Sequence, residues 1–535
     1  MTIESFPPET AVHWAAVNTA LACSATYSHP APAIRRIETH ISVIYLAGPY
    51  AYKIKKPVDF GVLDFRLLAT RHAMCKAEVE LNRRLAQRLY LGVVAIYFDG
   101  CRYSLGGSGE IVDYAVQMLR FDDSKLFSVL LKDGHLELGH IERAAQRLAA
   151  FHCQAPVAAA DSHFGAAELL HGQMNTVLQT MPDAYAACTS ALIAWFELRH
   201  LRLRSHFEAR RRGGFIRECH GDLHLENIVA DPEILMFDCI EFSEDLRWID
   251  VINDLAFLVM DLLAHQRRAF AFRALNRWLE GTGDYAGLAA LPLYVAYRAL
   301  VRAWVVKQRN GQTIVPPWSD AAAHYWQTAL TASVTAKPAL LLCHGFSGSG
   351  KSVASEALAM HIGAVRVCAD LERKRTGRMW PALPERLPRQ AYAPESIDAS
   401  YRHLSLLARD SLHAGFTTVV DASFLHRHHR RLFIELARTM GVPIRILDFV
   451  APRAVLASRV QTRASVTPGS ATPFSDADVD VLQGQLRDAD ALCGEEVALT
   501  LRFDSTVMRE QWADPNYWLP LQHELARAGM HGALT

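Results

Sequence analysis

The chain has 535 residues, half of them apolar and 21% charged, with 56 basic residues balanced by 56 acidic ones. A single hydrophobic core stops growing at roughly 250–300 residues, so this length excludes a one-domain protein and the ordinary composition excludes long disorder. The zero formal charge excludes a global field that would draw the chain to nucleic acid or anionic lipid, leaving only local patches for such partners.

The first twenty residues, MTIESFPPETAVHWAAVNTA, lack the basic start and continuous apolar core of a secretory signal, and no stretch approaches the ~20 apolar residues of a spanning helix. A cytoplasmic protein without a membrane partner is the expectation. The ten cysteines are scattered, with no CxxC pair and no Cys/His spacing of the zinc type. They are expected to be reduced and mostly buried.

Along the chain, His40 to Val58 (HISVIYLAGPYAYKIKKPV) carries β-branched and aromatic residues on both sides of Gly48-Pro49, a hairpin signature. Arg71 to Leu89 has apolar residues at helical spacing, and Ile111 to Leu119 reads as a further strand. From about Ile141 to Asn310 the pattern is mainly helical, broken near Gly221 to Glu241. This describes a small mixed lobe, about residues 1–118, followed by a helical lobe, about 119–310.

The break holds a constellation. His220-Gly-Asp222-Leu-His224-Leu-Glu-Asn227 is followed eleven residues later by Asp238, at the end of an apolar run and just before Glu241. This spacing fits a kinase catalytic loop and its metal-binding aspartate. Asp222 would accept the proton of an acceptor hydroxyl, while Asn227 and Asp238 would hold Mg2+ on ATP. Such a site also needs a strand lysine paired with a helix glutamate. Lys53 is the candidate lysine, with Lys55 its rival two residues on, and Glu78 is the candidate partner, with Glu80 as rival. Asp254, in WIDVINDLAFLVMDL, is expected to anchor the helical lobe by accepting local hydrogen bonds.

A polar, proline-bearing stretch (NGQTIVPPWSD) and a short alanine-rich helix lead to Lys337-Pro338, which places a domain boundary near residue 335, with 311–335 as linker. From Ala339 onward, short apolar runs (ALLLC, TTVVDA, IRILDFV) alternate with helical stretches, the mark of an α/β domain with a parallel sheet over 336–535. Gly345-Phe-Ser347-Gly348-Ser349-Gly350-Lys351-Ser352 matches GxxxxGK[ST] between a strand and a helix. The glycines let backbone amides curl round phosphates, Lys351 neutralises their charge, and Ser352 can ligate Mg2+. Asp370, after AVRVCA, is a candidate base for a substrate hydroxyl or a helix cap. Asp421, ending TTVVDA, is a candidate holder of Mg2+-bound water or a turn residue. Arg459 and Arg463, four apart before the Ser/Thr/Pro-rich ASVTPGSATP, could clamp a phosphoryl group beneath a lid, or form a solvated basic face. The cluster HRHHRR at 426–431 reads as a solvated helix face.

On HGDLHLEN and FDCIEF, residues 35–310 resemble the aminoglycoside phosphotransferase and choline kinase group, which implies an α+β protein-kinase-like fold using ATP. On the P-loop, residues 338–500 resemble the small P-loop kinases, the group of gluconate kinase, adenylylsulfate kinase and zeta-toxin-like enzymes. The fused order resembles bacterial proteins described as bifunctional aminoglycoside phosphotransferase and ATP-binding proteins. One departure is the lack of a GxGxxG phosphate loop in the first half, which argues against a protein kinase. The resemblance implies an ATP-dependent kinase with two nucleotide sites acting on small hydroxylated acceptors. Two alternatives stay open: that one half only binds nucleotide and gates the other, and that the second half is a zeta-toxin-like or nucleic-acid end kinase.

Overall fold

The computed structural model describes residues 8–39, 41–59, 64–179, 186–309, 320–334, 337–375, 387, 391, 393–464, 478–527 and 534. The chain forms two compact units. The first comprises Met1–His140, Ala155–Gly165 and Gly214–Asp254, and the second comprises Ile141–Gln154, Ala166–Gly213 and Leu255–Thr535. The boundary expected near residue 335 lies outside the described residues at 335–336 and inside the second unit.

In the first unit, β1 (Ile34–Glu38), β2 (Ser42–Ala47), β3 (Tyr50–Lys55), β4 (Tyr90–Phe98), β5 (Tyr103–Leu105) and β6 (Glu110–Leu119) form an antiparallel sheet in the order β1-β2-β3-β6-β4-β5. The expected hairpin is β2–β3, turning at Gly48-Pro49. Because successive strand residues point to opposite faces, Val43, Tyr45, Tyr52 and Ile54 pack with Val17 and Leu21 of the helix Pro8–Leu21 on one face. On the other face, Val116 packs with Cys75, Val79 and Ala86 of the helix Leu68–Ala86 and with Val229 and Leu235. The latter two belong to a hairpin of β8 (Ile228–Ala230) and β9 (Ile234–Met236), and β7 (Ile216–Glu218) pairs with β10 (Trp248–Asp250) nearby in the chain. Lys53 and Lys55 share this second face, which is why both meet the helix carrying Glu78.

In the second unit, β11 (Leu340–His344), β12 (Val365–Cys368), β13 (Thr418–Asp421), β14 (Ile444–Val450) and β15 (Thr500–Asp504) form an all-parallel sheet in the order β12-β13-β11-β14-β15. Leu341, Leu358, Val419, Leu447 and Phe449 form its core with Trp512 and Trp518. At the other edge, β12 is covered by side chains of the helix Arg268–Thr282. Asn276 Nδ2 donates to Ala364 O at 2.9 Å, Asn276 Oδ1 accepts from Arg366 N at 2.7 Å, and Tyr285 OH donates to Arg366 O at 3.2 Å. Asn276 thus replaces the strand that would otherwise pair there, and the edge is closed. Gly363 beside it has a φ of +67°, which favours glycine, and the space a side chain would take is filled by Arg268, whose Nη2 donates to Ile362 O at 2.8 Å.

The 426–431 cluster is solvated as expected at Arg427, His428 and Arg431, and departs from that reading at two positions. In the helix Arg427–Met440, His429 and Arg430 are buried with Phe433, Ile434 and Ala437. Arg430 donates to both Glu496 oxygens, at 2.7 and 3.0 Å, and to the carbonyls of Phe424, Leu425, Asp490 and Ala491. It lies three and four residues before Phe433 and Ile434, so it sits on the apolar stripe and clips loops to it.

Candidate active sites

The first site is built on β3. Lys53 Nζ donates to Glu78 Oε1 at 2.8 Å and to Asp238 Oδ1 at 2.5 Å, while Lys55 Nζ donates to Glu78 Oε2 and to Glu241. Of the two lysines, Lys53 is the one that reaches Asp238. Glu78 is fully buried whereas Glu80 is exposed. Burial pushes the Glu78 carboxyl up, yet the two lysines outweigh it and hold the group below the usual carboxylate range. Glu241 goes the other way, because burial is opposed chiefly by Lys55 while the neighbouring Glu78 charge adds to the rise. Burial disfavours the Lys53 ammonium, but Asp238 and Glu78 prevail and keep it protonated well above the usual lysine range.

Asp238 adopts a left-handed φ of 63°, a conformation that costs a non-glycine residue about 1–3 kcal/mol and persists where surroundings impose it. Here Tyr90 OH accepts from Asp238 N at 3.2 Å, Asn82 Oδ1 from Cys239 N at 2.9 Å, and Asn227 O from Phe237 N at 3.0 Å. His220, buried and held neutral by that burial, donates through Nε2 to Phe237 O at 2.9 Å and so ties the 220–227 loop to the same segment. Asp254 anchors the loop from below, accepting from His220 N at 3.1 Å and Gly221 N at 2.8 Å, a distant pair of amides in place of the local bonds expected within the helical lobe. Within the loop, Asn227 Nδ2 donates to Asp222 O at 2.9 Å and lies 3.4 Å from Asp222 Oδ2. The Asp222 side chain is 36% exposed, with His224 Nε2 at 3.4 Å, so an incoming hydroxyl can approach its carboxylate. Asp238 Oδ2 and Asn227 Oδ1 remain to accept, an all-oxygen donor set that fits magnesium.

The second site lies at the carboxyl end of the parallel sheet. Gly345, Gly348 and Gly350 have φ of 147°, 84° and 81°. A Cβ on Gly348 would lie 2.6 Å from Leu456 O, so no other residue fits that turn. The loop feeds the helix Lys351–Ile362, whose first amides lack intrahelical acceptors, a setting that favours an anion. Ser349 Oγ is buried without a hydrogen-bond partner among the described residues. Ser352 Oγ lies 3.3 Å from Asp421 Oδ1, Asp421 being paired in register with Cys343 of the P-loop strand. Burial pushes the Asp421 carboxyl up, but Arg366 and Lys351 outweigh it and keep it ionised. Asp370 opens the helix Ala369–Arg375 and pairs with Arg373 at 3.3 Å. Arg459 reaches the P-loop, with Nη1 3.4 Å from Gly348 O and Nη2 donating to Ser505 O at 2.8 Å. The side chain of Arg463 and the segment 465–477 lie outside the described residues.

Two contributors escaped sequence reasoning. Gln485 Oε1 accepts from Ser347 N at 2.9 Å, and Arg366 donates to Asp421 Oδ2 at 2.5 Å. An arginine inside the apolar run AVRVCA was the available signal for the second, since buried arginines are rare unless paired. Gln485, 138 residues from its partner, left none.

The fold and the two sites define a nucleotide-dependent phosphotransferase of composite build. A family model described as "Phosphotransferase enzyme family" matches residues 62–291, and one described as "AAA domain" matches 340–492. "Uncharacterized protein Rv2004c" of Mycobacterium tuberculosis is 30% identical over 467 residues, covering 82% of this chain and 88% of that one, and "Uncharacterized protein Mb2027c" of Mycobacterium bovis matches equally. The chain belongs to the family of these mycobacterial proteins, and it is an ATP-dependent kinase, a phosphotransferase-family domain fused to a P-loop kinase-like domain. Among solved structures, a choline/ethanolamine kinase family protein from Mesorhizobium loti matches at 14% identity (60% of this chain, 94% of that one, TM-score 0.38). A gluconokinase from Sinorhizobium meliloti matches at 21% identity (36% and 98%, TM-score 0.24). No helix among the described residues is long and apolar enough to cross a membrane.

Proposed function

We propose that both domains bind ATP with Mg2+ and transfer its γ-phosphate to small hydroxylated acceptors, such as sugars or aminoalcohols. The observation that carries this reading is Lys53, whose ammonium is shared between the buried Glu78 of the helix Leu68–Ala86 and Asp238 of a strained turn. Glu78 fixes the ammonium where it can meet α/β-phosphate oxygens, and Lys55 with Glu241 holds Glu78 from behind. Asp222, exposed and flanked by His224, takes the acceptor proton as the phosphoryl group departs. Asn227 and Asp238 would hold the metal, which when bound neutralises triphosphate charge. In the P-loop domain, backbone amides and Lys351 cradle phosphates, Ser352 and Asp421 would hold the metal, and Arg459 stabilises charge on the transferring group. Asp370 faces the acceptor role.

Equilibrium titration with ATP and Mg2+ tests this. Two sites are expected in the full chain, one lost in Lys351→Ala and the other in Asp238→Ala. A folded chain that titrates with a single site would refute it. Incubation with sugars, aminoalcohols, aminoglycosides and nucleosides, read by product mass, then names the acceptors.

A further inference from the structure

Arg366 lies in β12, the sheet's edge strand, and its guanidinium is buried. Each of its three nitrogens has a different acceptor: Nη2 donates to Asp421 Oδ2 at 2.5 Å, Nη1 to Glu280 Oε1 at 2.9 Å, and Nε to Ser355 Oγ at 3.0 Å. Glu280 belongs to the helix Arg268–Thr282 and is itself buried, its other oxygen accepting from Arg277 Nη1 at 2.9 Å. Asn276 and Tyr285 grip the Arg366 backbone from the same region. The result is a continuous path: Glu280, Arg366, Asp421, Ser352.

Stability does not account for this arrangement. Buried ion triads are often matched or exceeded in stability by apolar side chains of the same volume, because desolvating the charges offsets their attraction. What the triad does fix is the orientation of one carboxylate. Arginine prefers to engage a carboxylate through two parallel hydrogen bonds. Here Glu280 occupies Nη1, so Arg366 takes Oδ2 of Asp421 alone and leaves Oδ1 facing Ser352 at 3.3 Å. Freed from Glu280, the fork could turn to cover both Asp421 oxygens.

We propose that Arg366 is a positioning residue for the P-loop site, that Glu280 sets its posture, and that metal-nucleotide binding on the P-loop therefore depends on a helix belonging in sequence to the kinase-like half. The inference rests on the reading of Asp421 as a metal-site carboxylate. It ties the second nucleotide site to a helix that precedes the linker in sequence and lies in the same compact unit as the P-loop sheet, so a cut near residue 335 would remove part of that site's support.

The test uses the full chain and a fluorescent ATP analogue, with the signal lost in Lys351→Ala defining the P-loop's share. Two binding curves are read: Mg2+ dependence at fixed analogue, and analogue affinity in EDTA. Glu280→Gln keeps the side-chain volume and one acceptor but removes the charge that holds Nη1. It is expected to raise the Mg2+ midpoint about fivefold or more while affinity in EDTA changes less than about twofold. Arg366→Lys, with one nitrogen that cannot span both carboxylates, is expected to do the same. A general packing defect would instead weaken both curves together, and that outcome overturns the proposal. So does an unchanged Mg2+ midpoint in Glu280→Gln and Arg366→Lys when Asp421→Asn shifts it. If Asp421→Asn itself leaves the midpoint unchanged, the metal reading of Asp421 fails, and the inference falls with its premise.

Discussion

Replacing Lys55 by methionine isolates the buried charge network behind the first site. Lys55 is fully buried, and its ammonium sits between Glu78 and Glu241, whose side chains are 0% and 3% exposed. Methionine fills most of the volume, so the loss is electrostatic: Glu78 keeps Lys53, but Glu241 is left buried without its nearest cation. Removing one member of a buried pair costs about 3–5 kcal/mol. For a unit of about this size, at about 2–4 °C per kcal/mol, that lowers its melting temperature by about 6–20 °C. The pH dependence has a definite sign. Glu241 already has a raised carboxyl in the folded chain, and losing Lys55 raises it further. A group whose folded value lies above its unfolded one lends stability below about pH 4.3 and loses it as pH climbs through the folded value. The deficit of Lys55→Met against the parent chain should therefore grow from pH 5 to pH 8. Adding Glu241→Gln should recover at least half of it, since the orphaned charge is then gone. Thermal melts at several pH values, followed by circular dichroism, read all three. A deficit below about 1 kcal/mol, or one that shrinks toward pH 8, would refute the account.

At the same site, Asp222→Asn should lower the rate of phosphotransfer about 10²–10⁴-fold with ATP affinity little changed, whereas Asp238→Ala should weaken Mg2+-dependent ATP binding itself. Rapid-quench turnover and equilibrium binding separate the two, and unchanged binding in Asp238→Ala would remove the metal assignment. Arg430→Met should destabilise the chain by about 3–5 kcal/mol because Glu496 and several loop carbonyls lose their donor together, and a urea midpoint within error of the parent would contradict this. A fragment beginning near residue 336 should fold poorly or self-associate, since it lacks the residues that close the β12 edge. A monomeric, cooperatively melting fragment would show that the cover is dispensable.

Much of this molecule was legible in its sequence. Motif spacing located the 220–238 loop and the P-loop, because both depend on local backbone geometry that a few residues in fixed order impose. Strand periodicity put Lys53 and Lys55 on one face, but it could not choose between them, since the choice depends on Asp238, 185 residues away. The same limit hid Glu280, 86 residues from Arg366. In the histidine-arginine cluster, His429 and Arg430 depart from the solvated reading because charge was weighed before position, while Arg427, His428 and Arg431 follow it. Arg430 falls on the stripe of Phe433 and Ile434, and an arginine there must find acceptors inside the protein.

The P-loop sheet shows why a boundary in sequence need not be a boundary in structure. A proline-bearing linker marks where the chain can bend, but it does not say which surfaces need covering once the sheet has formed. An edge strand leaves every second residue's amide and carbonyl unpaired, and along β12 these include Ala364 O just before the strand, Arg366 N and Arg366 O. Left dry and unpaired, each costs about 1–3 kcal/mol; left wet, they invite another strand. The helix Arg268–Thr282 and Tyr285 meet all three, and through Arg273 the same helix holds Glu356 of the P-loop helix. Once that helix is committed to the edge, adding Glu280 to its outer turn brings a carboxylate within reach of Arg366 at little further conformational expense. The cover that protects the sheet thereby also supplies the carboxylate that sets the posture of Arg366 beside Asp421.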